Sequence, residues 1–547
     1  MEDVNLKQTK NNKNKQFSNV VGQTSDIIAQ RKIRMEKAEK LRELGIDPYP
    51  PESEKDVSNA EIVSNFEKYE GKKLNVTGRI FLIRKMGKIA FIDVRDQSGK
   101  IQLFLRKNVV KPLDAQEQTI GFDELSLLDR GDFVQAYGEV IKTQTGEVSI
   151  LVEKLKILTK SLRPLPDKWK GVKNEELLTR RRYLQMILDA KMRERFVRRS
   201  KFWQAVRDFL NDHGFVEINI PVLELVTGGA DAKPFVTYYN ELDQDFYLRI
   251  SHELPLKKLL GAGYEKVYDI GPRFRNEGFS PEHLPEHIAM EWYWAYADYM
   301  TAIKFTKQMF IYILDKVFDG KRKFTIRGLE VDFSKSDWPI VDYAQLLKER
   351  FNVDIYNDSV EDLYKVLEKN GRTLEPNQRN RNRVVDSLWK LIRVTIAGPI
   401  FLVNVPKFLS PLAKSDPNNP EVTMRFHLVA GGTEMTNAFS ELNDPQDQLE
   451  RFIEQQKLRE QGDDEAHMLD IDFVEMLEYG MPPATGFGMS ERVFWLLEGV
   501  SAREGVPFAH YKYDLMEDTK KVYKDILKYI APQKSKLAKC LKENKSK

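Results

Sequence analysis

The chain has 547 residues, 41% of them hydrophobic and 31% charged, with a net charge of +3. That length holds about two to four globular domains, and so small a net charge leaves any nucleic-acid binding to local patches. The single cysteine, Cys540, excludes an internal disulfide and a cysteine-cluster zinc site. No apolar run approaches the ~18 residues of a membrane span, and no apolar signal core opens the chain, so a soluble protein of a reducing, cytoplasmic compartment is expected.

Residues 1–25 are polar, hold too little apolar surface to fold alone and read as a disordered tail. Helical spacing from Ile27 to Leu44 stops at Gly45, with Pro48 beyond, and 26–71 reads as an N-terminal helical segment. The period changes over 72–160. Leu74–Ile80, Ala90–Val94, Ile101–Leu105, Phe133–Tyr137 and Val148–Val152 alternate or run apolar, with turn signals at Gln97–Lys100 and Thr143–Gly146. Five short strands predict an OB-type β-barrel. Residues 161–174 hold Pro and Lys and read as a linker.

From 175 to 507 amphipathic helices mix with strands. Phe196–Leu210 and Ala302–Phe318 have helical spacing, and Val360–Glu368 with Val384–Val394 mark a helical insertion at about 335–396. Ile400–Asn404 and Phe426–Ala430 read as buried strands. Lys266–Ile270 and Ile288–Trp294 flank a polar loop that begins Phe274-Arg275-Asn276-Glu277-Gly278, which predicts an antiparallel hairpin with an arginine near its turn. Gly486–Ser490 reads as a Gly-rich strand entering an apolar helix that Arg492 begins. The blocks do not alternate in a βαβ rhythm, so the fold class is α+β, an antiparallel sheet with flanking helices. Glycine loops of the Walker or dinucleotide type are missing. In the Lys-rich tail, 508–547, Tyr523, Ile526, Leu527 and Ile530 lie at helical spacing opposite Lys520, Lys521, Lys524 and Lys528. A solvated helix is the first reading and an RNA-contacting arm the second.

Two arginines, Arg275 and Arg492, placed this way over a flat sheet can grip a nucleotide triphosphate from both sides, since guanidinium groups are planar, permanently charged and bidentate. Around them stand Arg182-Tyr183-Leu184, Gly214–Ile218 with Pro221, Gly228–Phe235, His252-Glu253-Leu254, Ser410–Lys414, Asn437–Asp444, and Gly462–Ala466 with Met481-Pro482-Pro483. In this order, over about 26–500, the chain resembles the class II lysyl-tRNA synthetases of the bacterial type. The resemblance implies an OB-fold anticodon-binding domain and a class II catalytic domain. It also implies a homodimer built through the Gly214–Pro221 segment, with lysine, ATP, magnesium and tRNA(Lys) as substrates, cofactor and partner.

The resemblance assigns roles by position. Gly229 and Glu253 would hold the α-amino group of lysine. Glu441, with Glu291 and Tyr293, would receive the side-chain ammonium, and Asn437 and Phe439 would line the pocket. Arg275 would bridge the lysine carboxylate and the ATP α-phosphate, and Arg492 would hold the γ-phosphate. Glu277, His283 and His287 would complete the ATP contacts. Glu434 would hold magnesium, with His427 beside it, and Arg84, Phe91 and Gln102 would read the anticodon. The charges agree: a ligand with two cationic amines needs carboxylates, because a buried ammonium without a partner is costly. An exposed aromatic such as Phe91 on an OB barrel is a base-stacking platform.

Three positions depart from the family pattern. His287 stands where a phenylalanine stacks on adenine, with Leu284 in place of a nearby asparagine. His427 stands where a metal-binding glutamate is usual, and magnesium prefers oxygen. The Met489-Ser490-Glu491 run is about one residue shorter than its counterpart. The alternatives are an aspartyl- or asparaginyl-type synthetase, a non-catalytic RNA-binding relative, and an enzyme that ligates lysine to protein.

Overall fold

The computed structural model describes residues 24–166, 179–278, 280–462, 466–512 and 514–529. Residues 1–23 of the tail expected over 1–25, most of the linker, Ile530 and Cys540 lie outside the described residues, and the last two positions of that tail, 24 and 25, already belong to a helix. The chain divides into two compact units. One takes the described residues of Met1–Glu175 and Tyr511–Lys547, the other those of Glu176–His510.

In the first unit the helix Thr24–Glu43 turns Arg34, Ala38 and Leu41 inward and stops before Gly45, whose φ of +77° suits a glycine. Five strands follow: β1 (Lys73–Met86), β2 (Ile89–Arg95), β3 (Lys100–Arg106), β4 (Phe133–Lys142) and β5 (Val148–Thr159). β1 pairs with β2 and β4, and β5 pairs with β3 and β4, so the ring closes as a barrel. Its interior holds Val76, Ile80, Ile92, Leu103, Val134 and Ile150, as alternation along each strand requires. All five expected strands form, but β1, β4 and β5 run well past the expected ends. β1 shifts register between Ile80 and Leu82, which breaks the alternation there. Gly138 marks the closest approach: a Cβ there would lie 2.1 Å from the Leu151 carbonyl oxygen.

At the exit of β5, Lys160 is wholly buried, with Nζ 2.6 Å from Asp129 and 2.7 Å from Asp132. It also donates to the Leu127 carbonyl. In the C-terminal segment the expected helix through Tyr523 and Ile526 is corrected. An α-helix spans only Glu517–Val522, and a 3-10 turn follows over Lys524–Tyr529. Tyr523 and Ile526 stay exposed, because a change of helical pitch scatters side chains spaced for one α-helical stripe.

The second unit is built on a nine-stranded sheet. Its order is Ile340–Asp342, Ile400–Val403, Arg425–Ala430, Thr436–Ser440, Ala484–Ser490, Glu286–Ala295, Lys266–Phe274 and Val216–Glu217, with Thr433–Glu434 paired to Arg425–Ala430. The interior pairs are antiparallel and the pair at each end is parallel. Side chains alternate between two faces. Met290, Trp292, Phe426, Leu428, Phe487 and Met489 face a core completed by the helices Ala190–Asp212 and Tyr299–Val317. Their neighbours, Glu291, Tyr293, Arg425, His427, Gly486 and Gly488, face the other side. There two smaller cores flank a cavity. One packs Leu254, Leu260, Phe452 and Phe473. The other packs the inserted helices Val360–Lys369 and Arg381–Arg393 through Leu363, Val384 and Leu388 onto Leu402 and Val429.

Lys160→Met keeps the volume of the buried stem but leaves Asp132 buried without its cation. Removing one partner of such a pair costs about 3–5 kcal/mol. Denaturant unfolding of the full chain is expected to show that loss in the transition of the barrel unit; an unchanged midpoint would show that Asp132 is solvated instead.

Candidate active site

One cavity of about 610 Å³ opens on the polar face of the sheet. Its acidic end is built from the hairpin and from the helix Glu253–Gly261. Glu291 is held by four donors. Ser251 Oγ and the His252 N–H donate to Oε1 at 2.9 and 3.2 Å, and the Tyr293 hydroxyl donates to Oε2 at 3.0 Å. Arg273 Nη1 lies 3.5 Å from Oε1. Burial would raise this carboxyl, but His252, Arg273 and the backbone N–H overcome it and hold Glu291 at about 2. Burial and the surrounding carboxylates push Tyr293 well above the ordinary phenol value, so its hydroxyl stays a donor. Gly229, at φ +83°, passes so close that a Cβ would lie 2.6 Å from Ser251 Oγ.

Behind this wall lies a sealed ion cluster. Lys257 Nζ is 2.5 Å from Glu253 Oε1 and also touches Glu441 Oε2. Glu441 Oε1 has no hydrogen-bond partner among the described residues. It points at the glycine strand, where a Cβ on Gly486 would meet it at 2.2 Å.

The basic end carries Arg275 and Arg492. Arg275 leaves the strand Lys266–Phe274, and its N–H donates to the Pro285 carbonyl at 2.8 Å. Arg492 begins the helix Arg492–Glu498, and its Nη2 donates to the Glu434 carbonyl at 2.6 Å. The Glu434 carboxylate accepts from Trp389 Nε1 at 2.5 Å and lies 3.5 Å from Arg393. Burial would raise its pKa; His427, Arg393 and the Trp389 N–H hold it at about 2. His427 is buried with Nδ1 3.1 Å from the Thr436 carbonyl, so Nδ1 carries the proton. Burial lowers its pKa to about 4, Arg425 adding to the shift and Glu434 opposing it. At neutral pH His427 is therefore uncharged and does not ion-pair with a phosphate.

The structure gathers most of the expected site. Gly229, Glu253, Glu291, Tyr293, Asn437 and Phe439 line the acidic half. Arg275, Glu277, His283, His427, Glu434 and Arg492 line the basic half. Two expected residues do not line it. Glu441 lies beneath the wall. His287 lies on the same sheet face but is engaged by Arg273, its Nε2 accepting from Arg273 Nε at 2.8 Å. Sequence reasoning missed Arg273, Lys257 and Arg425, although the first stands two residues before Arg275 on one strand face, the second one helical turn after Glu253, and the third two before His427. Arg425 Nε donates to Asn437 Oδ1 at 2.9 Å and fixes that amide.

The other expected residues lie on the barrel. Arg84 is exposed and stands over the Phe91 ring at 5.7 Å. Phe91 stacks on Phe104 with centroids 4.9 Å apart, an aromatic partner that only the β2–β3 register reveals. Gln102 shares this strand face but is buried, accepting from Ser149 Oγ at 3.1 Å.

Residues 174–512 match the family model of class II tRNA synthetases (D, K and N), and residues 74–158 match an OB-fold nucleic-acid-binding domain. Among curated proteins the chain is 41% identical to a lysine–tRNA ligase of Thermotoga maritima over 89% of this chain and 96% of that one. It is 43% identical to a lysine–tRNA ligase of Fervidobacterium nodosum over 87% and 93%. It is 39% identical to one of a Thermoanaerobacter species over 90% and 98%.

Proposed function

The chain belongs to the class II tRNA synthetases, and on that premise we infer that it is a lysine–tRNA ligase, which activates lysine with ATP and transfers it to tRNA. The observation that carries this reading is a single cavity with carboxylates at one end and arginines at the other. A ligand with two ammonium groups and a carboxylate fits between them, its carboxylate toward Arg275. An acidic amino acid would bring its side chain against Glu253 and Glu291, which disfavours an aspartate enzyme.

Two steps follow. A lysine carboxylate oxygen attacks the ATP α-phosphorus, forming the acyl–phosphate bond as pyrophosphate leaves. A 3′-terminal ribose hydroxyl of the tRNA then attacks the acyl carbon, and AMP leaves. The side chains work by positioning and charge neutralisation; Arg275 and Arg492 need no reorganisation as charge moves along the phosphates. Lysine-dependent ATP–pyrophosphate exchange, measured across the amino acids, tests the reading.

Magnesium is proposed as the partner of the triphosphate. Among the described residues no group of three or more metal-ligating side chains occurs. Glu434, an ionised carboxylate at the basic end, fits the usual pattern in which magnesium takes one or two carboxylates plus phosphate oxygens. Bound there, the ion would neutralise phosphate charge. His427 is not needed as a ligand.

The assignment of anticodon reading to Arg84, Phe91 and Gln102 is supported by the exposed guanidinium and the stacked rings of the barrel. A homodimer is supported by apolar side chains in and near the short strand Val216–Glu217: Val216, Leu223, Leu225, Val236 and Tyr238 are 43% to 55% exposed. A cytoplasmic location is proposed; no helix among the described residues is long and apolar enough to cross a membrane.

Glu441→Gln is expected to weaken lysine by about 2–5 kcal/mol, the cost of removing one side of a desolvated charge pair, with little change in ATP affinity. Exchange kinetics in both substrates check this, and unchanged lysine affinity would remove Glu441 from the subsite. Phe91→Ala is expected to cost tRNA charging about 1–3 kcal/mol, the value of one base stack, while sparing pyrophosphate exchange. An equal fall in both assays would make Phe91 a folding residue. Sedimentation of the active protein is expected to show a dimer; an active monomer would overturn that assignment.

A further inference from the structure

Lys257 is a lysine placed by the protein itself against the carboxylates of a proposed lysine site. It stands four residues after Glu253 on the helix Glu253–Gly261, so helical geometry puts the two side chains together. Its side chain is wholly excluded from solvent. Nζ reaches both Glu253 and Glu441, and the Phe439 and Phe473 rings stand 5.2 and 5.9 Å away. Glu253 lines the cavity; Lys257 and Glu441 do not. The ammonium is therefore locked beneath the wall and does not compete for the space a ligand fills.

The charges explain why a cation is needed there. Glu253, Glu291 and Glu441 act on one another through a dry interior. Tyr293 from the hairpin, Arg425 from the strand Arg425–Ala430 and His467 also face the cluster. Without a cation, two such carboxylates cannot both stay ionised, and one takes up a proton. Lys257 is the cation that touches two of the three, Glu253 and Glu441, and Arg273 lies 3.5 Å from the third, Glu291.

We propose that Lys257 is a positioning residue for amino-acid selection: its buried ammonium, in contact with Glu253 and Glu441, opposes their neutralisation and aims both, so that the acidic end of the cavity favours an amino acid carrying a second cationic amine. This rests on the reading of the cavity as a lysine site. The sign of the pH effect follows. Burial already raises both carboxyls and Lys257 opposes it, so with Lys257 removed they rise further. As pH falls through the raised values a carboxylate is neutralised, and its attraction for an ammonium is lost.

The experiment is pyrophosphate exchange by the full chain between about pH 6 and about pH 8.5, with KM measured for lysine and for ATP. Wild type must first show lysine-driven exchange; failure there overturns the site reading, independently of Lys257. Lys257→Met is expected to raise the lysine KM at least about tenfold, as loss of one member of a buried ion cluster would. That KM should worsen toward low pH while the ATP KM stays put, and Lys257→Arg should recover a flatter profile. A wild-type lysine KM, or equal shifts in both KM values with no pH dependence, overturns the proposal. If Lys257→Met does not fold, Lys257→Gln keeps a polar contact to the two carboxylates without the charge. It is expected to show the same raised, pH-dependent lysine KM, and a wild-type lysine KM in it overturns the proposal equally.

Discussion

The catalytic unit depends on one constraint, the two-residue alternation of its central strands. In Glu286–Ala295 the residues Met290 and Trp292 must be apolar to seat the helices, and Glu291 and Tyr293 between them are thereby committed to the opposite face. The same holds for Phe426 and Leu428 against Arg425 and His427, and for Phe487 and Met489 against Gly486 and Gly488. A one-residue slip in any of these strands would bury the charges and expose the core, so burial of the helical face fixes the register of the chemistry.

A charged sheet face under a closed cavity is costly unless its groups are paired, and the pairing here divides by sign along the sheet. At one end carboxylates are held by hydroxyls, a backbone N–H and Lys257. At the other, arginines lie near one another, relieved by Glu434 and by backbone carbonyls. Burial and Arg393 and Arg275 lower Arg492 to about 10 against the pull of Glu434, the mark of a site with more cation than its own anions balance. A polyphosphate supplies the missing charge. The glycines of Ala484–Ser490 serve the acidic end, since a side chain at Gly486 would strike Glu441 and Tyr293.

The fold was largely legible because its signals are periodic: the hairpin flanking Arg275, the glycine strand ending at Arg492 and the five barrel strands all follow from alternation and turn chemistry. What the sequence hid is what periodicity does not encode. The lengths of β1 and β5 depend on partners far along the chain. The seal over Glu441 depends on Phe439 and Gly486 closing above it. Lys257 reads as one more charged helix residue until the fold removes its water. The tail failed for the opposite reason, because a stripe at helical spacing has meaning only if the helix continues.

His287 and Arg273 show how two such residues fit together. They face each other directly in the hairpin register. Burial, Arg273 and Arg275 push His287 well below the ordinary imidazole value, so the ring is neutral and its Nε2 is free to accept from Arg273. A phenylalanine at this position could not accept that bond, and the Arg273 guanidinium, lowered to about 9 by burial and by Arg275, would lose its Nε acceptor there. The histidine therefore belongs with the arginine: it shares the cavity face of the sheet and accepts from Arg273, whose Nη1 lies 3.5 Å from Glu291.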